Sequence, residues 1–167
     1  MKRLMLSFAL TLSAMASAVT PFKLQWMNHA TPGTLYESTQ HSNGVFVVEA
    51  YFLGCPHCNN NAPNVNDLAE SFVNEPRVQV LDVGIDRSDS QYLTWIKKHN
   101  PNHPVLKDAQ RTLISQLGTS GYPSTYVIDC QGAVKYQTSG EWSPSTTRAI
   151  KTAVTELLKR PCPHPLD

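Results

Sequence analysis

No stretch of the 167 residues is long and apolar enough to span a bilayer. The one apolar run near the start, Leu4 to Leu12, falls well short of the ~20 residues a membrane helix needs. Neither sign of charge dominates: Lys and Arg number 14 against 13 Asp and Glu, and without Lys2 and Arg3 the count is 12 against 13. That balance gives no electrostatic reason to expect nucleic acid or an anionic membrane as a partner. No internal repeat and no low-complexity linker marks a domain boundary. Cysteine is sparse, with four in the chain. No second ligand pair stands at metal spacing, so neither a metal nor another cofactor is expected.

What is present begins with an address label. Lys2 and Arg3 form a basic start, Leu4 to Leu12 an apolar core, and Ala16-Ser17-Ala18 a small-residue cleavage site. The expectation is a leader over residues 1–18, cleaved after about Ala18, and export to a bacterial periplasm. Residues 19–167, about 149 in all, then form a single domain with a Pro-rich tail around Pro161, Pro163 and Pro165. A chain of that size buries roughly 70% of its unfolded surface. In an oxidising compartment four cysteines point to two disulfides. Cys55 and Cys58 form the short pair. Cys130 and Cys162 remain, and bonding them would close a loop of about 31 residues, worth ~3–4 kcal/mol in the chain-entropy account.

Cys55-Pro56-His57-Cys58 is the most informative segment. It follows the apolar run Val45 to Leu53 and precedes a stretch in which Val65, Leu68, Ala69, Phe72 and Val73 share one helical face. Cys55 therefore stands where a strand turns into a helix, at the helix N-terminus, where free amides and the macrodipole favour a thiolate. Along the rest of the chain the patterns predict extended pieces at Phe22–Met27 and Gly33–Tyr36, a turn at Asn43-Gly44, a strand over 45–53 and a helix from Pro56 to Asn74 kinked at Pro63. They then predict a strand Val78–Ile85, a helix Asp89–His99, a brief extended Pro104–Leu106 and a helix from Ala109 to Leu117 capped by Asp108. A strand Thr125–Asp129, a turn at Gln131-Gly132, a strand Ala133–Gln137 and a last helix from Ser143-Pro144 to about Lys159 follow. The layout is α/β with an antiparallel pair at its end.

With these residues in place, the chain resembles the thioredoxin superfamily over nearly all of residues 19–167. Four features coincide: the Cys55–Cys58 pair between strand and helix, Pro63 eight residues after Cys55, the acid Glu49 six residues before it, and Pro123 between a helix and a strand. The resemblance implies a thioredoxin fold, a central mixed sheet flanked by helices. To this the chain adds a short N-terminal extension and an insertion like that of the TlpA/ResA group. Val47 to Phe52 with the Cys55-Pro56-His57-Cys58 motif is similar to DsbA-type periplasmic oxidases. Yet 65 positions separate Cys58 from Pro123, too few for the helical domain those oxidases insert. Asp82 to Asp129 looks like the TlpA/ResA group, whose members commonly act as thiol reductants, for example in cytochrome c maturation.

The resemblance implies a periplasmic thiol:disulfide oxidoreductase acting on protein thiols and disulfides, served by a redox partner such as a membrane thiol oxidoreductase. Cys55, the more exposed sulphur, attacks; Cys58, one turn inside, resolves the mixed disulfide. His57 offers a hydrogen bond or positive charge to the Cys55 thiolate, which would make the disulfide a stronger oxidant. Lowering a thiol pKa from about 7 to about 3.5 stabilises the dithiol form by roughly 4 kcal/mol at pH 7, or about 95 mV, enough to decide direction. Glu49, set among apolar residues, has a raised pKa and accepts the Cys58 proton; otherwise a lysine neutralises it or it faces solvent. Pro123, in the cis form, packs on the disulfide and presents the backbone of Tyr122 to an extended substrate. Phe52, Leu53, Gly54 and Pro56 form an apolar rim. Asn59 to Asn61 either bond substrate backbone or are solvated. Trp26, Trp95 and Trp142 pack. The dipeptide leans the reading to an oxidant, with a TlpA/ResA-like reductase as the alternative. A Cu(I)- or zinc-handling module and a disulfide isomerase are further rivals. Only about 25 residues precede the core, so a monomer is expected rather than a dimeric isomerase.

Overall fold

The computed structural model describes residues 18–162. The leader over 1–18 falls, except for Ala18, outside the described residues, as does the end of the Pro-rich tail. Seven strands make one sheet: β1 (Lys23–Trp26), β2 (Leu35–Glu37), β3 (Val45–Tyr51), β4 (Val78–Gly84), β5 (Val105–Lys107), β6 (Ser124–Ile128) and β7 (Val134–Ser139). Their order across the sheet is β2-β1-β5-β4-β3-β6-β7. β3, β4 and β5 run parallel, while β6, β7, β1 and β2 join antiparallel. Among the described residues α1 (Pro56–Ser71), α2 (Asp89–His99) and α3 (Thr112–Gln116) connect strands, and α4 (Pro144–Leu158) follows β7. This is the thioredoxin arrangement, with the N-terminal hairpin added at the sheet edge through β1 and β5.

β3 is central and buried on both faces, as a run that is apolar except for Glu49 and the Tyr51 hydroxyl demands. Alternate residues feed two cores. Phe46, Val48 and Ala50 join Leu81, Val83, Tyr126, Leu113 and Ile114 on the α3 side. Val45 and Val47 join Val65 and Leu68 of α1 and Ile150 and Val154 of α4 on the other. Each such fully buried side chain contributes roughly 1.5–3 kcal/mol. A third cluster, rich in aromatics, lies at the C-terminal end of β3 and β4: Tyr51, Tyr92, Trp95, Val105 and Ala62, together with Cys55 and Cys58. Gly84 makes this cluster possible. A Cβ there would stand 2.6 Å from Tyr92 Cε1 and 2.9 Å from Tyr51 Cζ, closer than carbon atoms approach.

Two elements differ from expectation in instructive ways. The helix predicted from Ala109 begins at Thr112, because Arg111 takes the left-handed conformation (φ 57°). Asp108 still caps it, from farther back: Oδ1 accepts from the Thr112 amide at 2.7 Å and Oδ2 from the Leu113 and Ile114 amides at 3.0 and 2.9 Å. The strand predicted to reach Leu53 ends at Tyr51, and Phe52 to Cys55 forms a turn closed by Cys55 N–H to Phe52 O at 3.1 Å.

Candidate active site

Cys55 is the N-cap residue of α1, with Pro56 as the first helical residue. The Cys58 amide donates to Cys55 Sγ at 3.1 Å, so the sulphur occupies the place where a capping oxygen would bond. Cys55 and Cys58 are joined, with S–S 2.05 Å and Cα–Cα 5.2 Å. Both are buried, at 3% and 2% exposure. The sequence reading expected Cys55 to be the exposed one. The difference arises because the turn folds Cys55 into the aromatic cluster; Gly54, Pro56 and His57 take the exposed positions instead.

Two side chains hold that turn. Asp86, buried just beyond β4, accepts from the Leu53 amide through Oδ2 and from Gln91 Nε2 through Oδ1, each at 2.8 Å. Burial pushes its carboxyl up, and the Leu53 amide partly opposes the shift. Asn59 donates from Nδ2 to Leu53 O at 2.9 Å and to Cys55 O at 2.8 Å. Its Oδ1 accepts from Lys98 Nζ at 2.6 Å and meets His99 Nε2 at 2.9 Å, tying α1 to α2. Asn59 is thus neither a solvated residue nor a free donor for substrate.

On the rim, Phe52 and Leu53 are half-buried and Phe52 meets Tyr122 edge to face, with ring centroids 5.6 Å apart. Tyr122 packs against the cysteine cluster, and the Tyr122–Pro123 peptide bond is cis. Tyr51 stacks on Trp95 at 4.0 Å beneath. Trp95 Nε1 donates to Asp82 Oδ2 at 2.9 Å, and His103 Nε2 lies 3.3 Å from Asp82 Oδ1.

Glu49 lies in the middle of β3, its Cα paired with Asp82 on β4 and Thr125 on β6. No lysine reaches it among the described residues, and it faces no solvent. Asn61 Nδ2 donates to Oε1 at 2.7 Å and Thr125 Oγ1 to Oε2 at 2.6 Å. Burial raises its pKa to about 8; the Thr125 and Asn61 bonds pull it down, and the nearby Asp82 charge adds to the rise. The network continues outward. The Trp142 amide donates to Asn61 Oδ1 at 3.0 Å, and its indole Nε1 donates to Thr125 Oγ1 at 2.7 Å. Trp142 is therefore part of the carboxylate's hydrogen-bond shell as well as a packing residue.

His57 is exposed, and its Nδ1 lies 2.8 Å from Glu141 Oε1. Among the described residues no hydrogen bond joins it to either sulphur; Glu141 takes the contact that the sequence reading gave to Cys55. Asn60 Nδ2 donates to the same Glu141 oxygen at 2.7 Å. Glu141 and Asp86 were missed from sequence. Asp86 follows a strand and could be flagged as a polar residue at a strand's C-terminal end; Glu141 lies in a loop 84 residues from His57, and nothing in its neighbours' pattern connects the two.

Cys130 and Cys162 are bonded too, with Cα–Cα 6.1 Å, joining the turn after β6 to the end of the described chain. A cavity of about 230 Å³ lies beside this bridge, lined by Val19, Phe22, Phe46, Ile128 and Cys130 among others. None of the cysteine-motif residues lines it.

The pattern of the AhpC/TSA family matches residues 15–137. The chain is 31% identical over 116 residues to the thiol:disulfide interchange protein DsbE of Pasteurella multocida, covering 64% of this chain and 60% of that protein. It is 31% identical over 134 residues to the DsbE protein of Tatumella citrea, covering 77% of this chain and 68% of that one. Among solved structures, a thiol:disulfide interchange protein of the thioredoxin family from Chlorobium tepidum superposes with a TM-score of 0.69 at 18% identity, covering 85% of this chain and 99% of that one. Such identity speaks for the fold, and the sequence relatives speak for the lineage: the chain belongs to the AhpC/TSA family of the thioredoxin superfamily and is similar there to thiol–disulfide oxidoreductases named as thiol:disulfide interchange proteins.

Proposed function

We propose that this chain is an exported thiol:disulfide oxidoreductase that acts on protein disulfides as a reductant. The observation that carries the exchange chemistry is the Cys55–Cys58 pair capping α1, with the Cys58 amide on Cys55 Sγ. In the dithiol form Cys55 attacks a substrate disulfide; one substrate thiolate leaves and a mixed disulfide forms. Cys58 then attacks Cys55 Sγ and releases the second thiolate, leaving the Cys55–Cys58 bond. Two electrons pass from the dithiol to the substrate. Glu49, whose pKa burial raises to about 8, accepts the Cys58 proton in its ionised form as resolution proceeds. The two cysteine protons follow the electrons to the substrate thiolates.

Direction follows from the surroundings of the thiolate. The helix terminus stabilises it, but burial in an aromatic cluster makes it costly. His57, the group that would add positive charge, is paired with Glu141. A less stable thiolate means a less stable dithiol, hence a more reducing pair. This reverses the lean that the Pro56-His57 dipeptide gives. The half-buried Phe52, Leu53 and Tyr122 offer an apolar edge to a polypeptide, with the Tyr122 backbone, next to cis-Pro123, as its pairing surface. A membrane thiol oxidoreductase returning electrons to the pair completes the cycle.

The test is equilibration with glutathione buffers, following Cys55 and Cys58. A potential near or below the ≈ −270 mV of thioredoxin supports the reductant; one near the ≈ −120 mV of DsbA rejects it in favour of a disulfide donor.

A further inference from the structure

Three consecutive residues outside the cysteine motif each bond to a different part of the site. The Gly140 amide donates to Pro123 O at 2.9 Å. The Trp142 amide and indole donate to Asn61 and Thr125, the two residues that hold Glu49. Between them Glu141 places Oε1 at 2.8 Å from His57 Nδ1 and 2.7 Å from Asn60 Nδ2. Trp142 is buried and Gly140 adopts φ 92°, so the backbone on both sides of Glu141 is tied although its side chain is exposed.

An exposed ion pair by itself contributes little to stability. The position of this one gives it another consequence. His57 and Asn60 both lie at the start of α1, where the helix places partial positive charge beside Cys55. A carboxylate added there opposes the helix terminus, and one bonded to His57 cancels the ring's charge when the ring is protonated. The hydrogen bonds from His57 and then Asn60 hold the Glu141 carboxyl below its usual range, so at neutral pH it is ionised.

We propose that Glu141 is a positioning residue for the exchange reaction: by engaging His57 Nδ1 it withholds that ring from the Cys55 thiolate and keeps the Cys55–Cys58 pair on the reducing side. The inference rests on the thiol-exchange reading above and adds the residue that sets its direction. It makes Glu141 act through His57 rather than by its charge alone.

The experiment compares wild type, Glu141→Gln, His57→Ala and the double variant in glutathione buffers. Glutamine keeps the size of the side chain at an exposed site, so the fold is maintained. The expected result is that Glu141→Gln moves the equilibrium toward the dithiol by about tenfold, which is 29.6 mV less negative. In the His57→Ala background the same change shifts the equilibrium by less than about twofold, since the intermediary is gone. An unchanged potential in Glu141→Gln overturns the proposal, and so does a full shift that persists without His57. A wild-type pair that never equilibrates with glutathione overturns the thiol-exchange reading and this inference together. A wild type that equilibrates normally beside an unresponsive Glu141→Gln overturns only the inference.

Discussion

The molecule holds two disulfides that share a bond type and little else. Cys55–Cys58 spans 3 positions, caps a helix, and sits in a cluster with Tyr51, Tyr92 and Trp95. Cys130–Cys162 spans 32 positions and ties the turn after β6 to the chain that follows α4. The first closes a loop too short to constrain an unfolded chain much, but lies at the N-terminus of α1. The second caps no helix among the described residues, follows the C-terminal end of α4, and closes a long loop. The proposed reactive role of the first and bracing role of the second rest on the surroundings of the sulphurs and the length of chain each bond encloses.

The largest effect that would sharpen this contrast is on turnover. On the proposed exchange chemistry, Cys55→Ser removes the attacking thiol and lowers the rate of reduction of a model protein disulfide by about three orders of magnitude or more, with the melting temperature nearly unmoved. Replacing both Cys130 and Cys162 with serine does the reverse. It costs ~3–4 kcal/mol of stability, seen as a melting temperature lower by roughly 10 °C, while turnover at 25 °C is kept. Equal loss of turnover in both variants would break the comparison.

Next in size is Gly84→Ala. The added methyl meets the rings of Tyr92 and Tyr51, which share a cluster with Cys55 and Cys58. Overpacking of this kind costs typically ~1–3 kcal/mol, readable by urea denaturation. Because the strain falls on the Cys55–Cys58 cluster, its reduction potential should move as well, whereas the accessibility of Cys130 and Cys162 to reductant should not.

How much of this was legible beforehand depends on whether a feature is local in sequence. The strand-to-helix turn at Cys55 and the helix Asp89–His99 were readable because apolar spacing and capping residues lie within a few positions of one another. The seat of Glu49 in an apolar strand predicted its raised pKa, and burial is the principal cause. Its partners were not readable: Asn61 lies 12 positions away and Thr125 76 away, and only the packing of α1 and β6 on β3 brings them together. His57 shows the same limit. The sequence reading aimed it at the Cys55 thiolate, whereas its Nδ1 meets Glu141, which is brought there by the turn between β7 and α4. The two N-terminal extended pieces were legible as a hairpin in front of the core, yet their place at the sheet edge depends on the β1–β5 pairing, which no local pattern encodes.

A smaller effect concerns pH. Glu49 has its folded pKa raised to about 8 from an ordinary value of 4.5. Between those values the folded chain binds the proton that the unfolded chain has released, so stability falls as pH rises from about 5 toward 8. Glu49→Gln removes this slope, so the melting temperature of the variant changes less than wild type across that range. The variant should also resolve mixed disulfides about tenfold more slowly, with the rate of Cys55 attack little changed. A wild-type melting temperature that rises through pH 6–8 would argue against a neutral Glu49.

The most direct measurement follows both disulfides at once: equilibration across a series of redox potentials, alkylation of the free thiols, and mass spectrometry of the separate cysteine peptides. The account predicts that Cys55 and Cys58 open together near ≈ −270 mV, while Cys130 and Cys162 stay bonded to below ≈ −300 mV. Opening of Cys130–Cys162 first, or of both pairs at one potential, would contradict it.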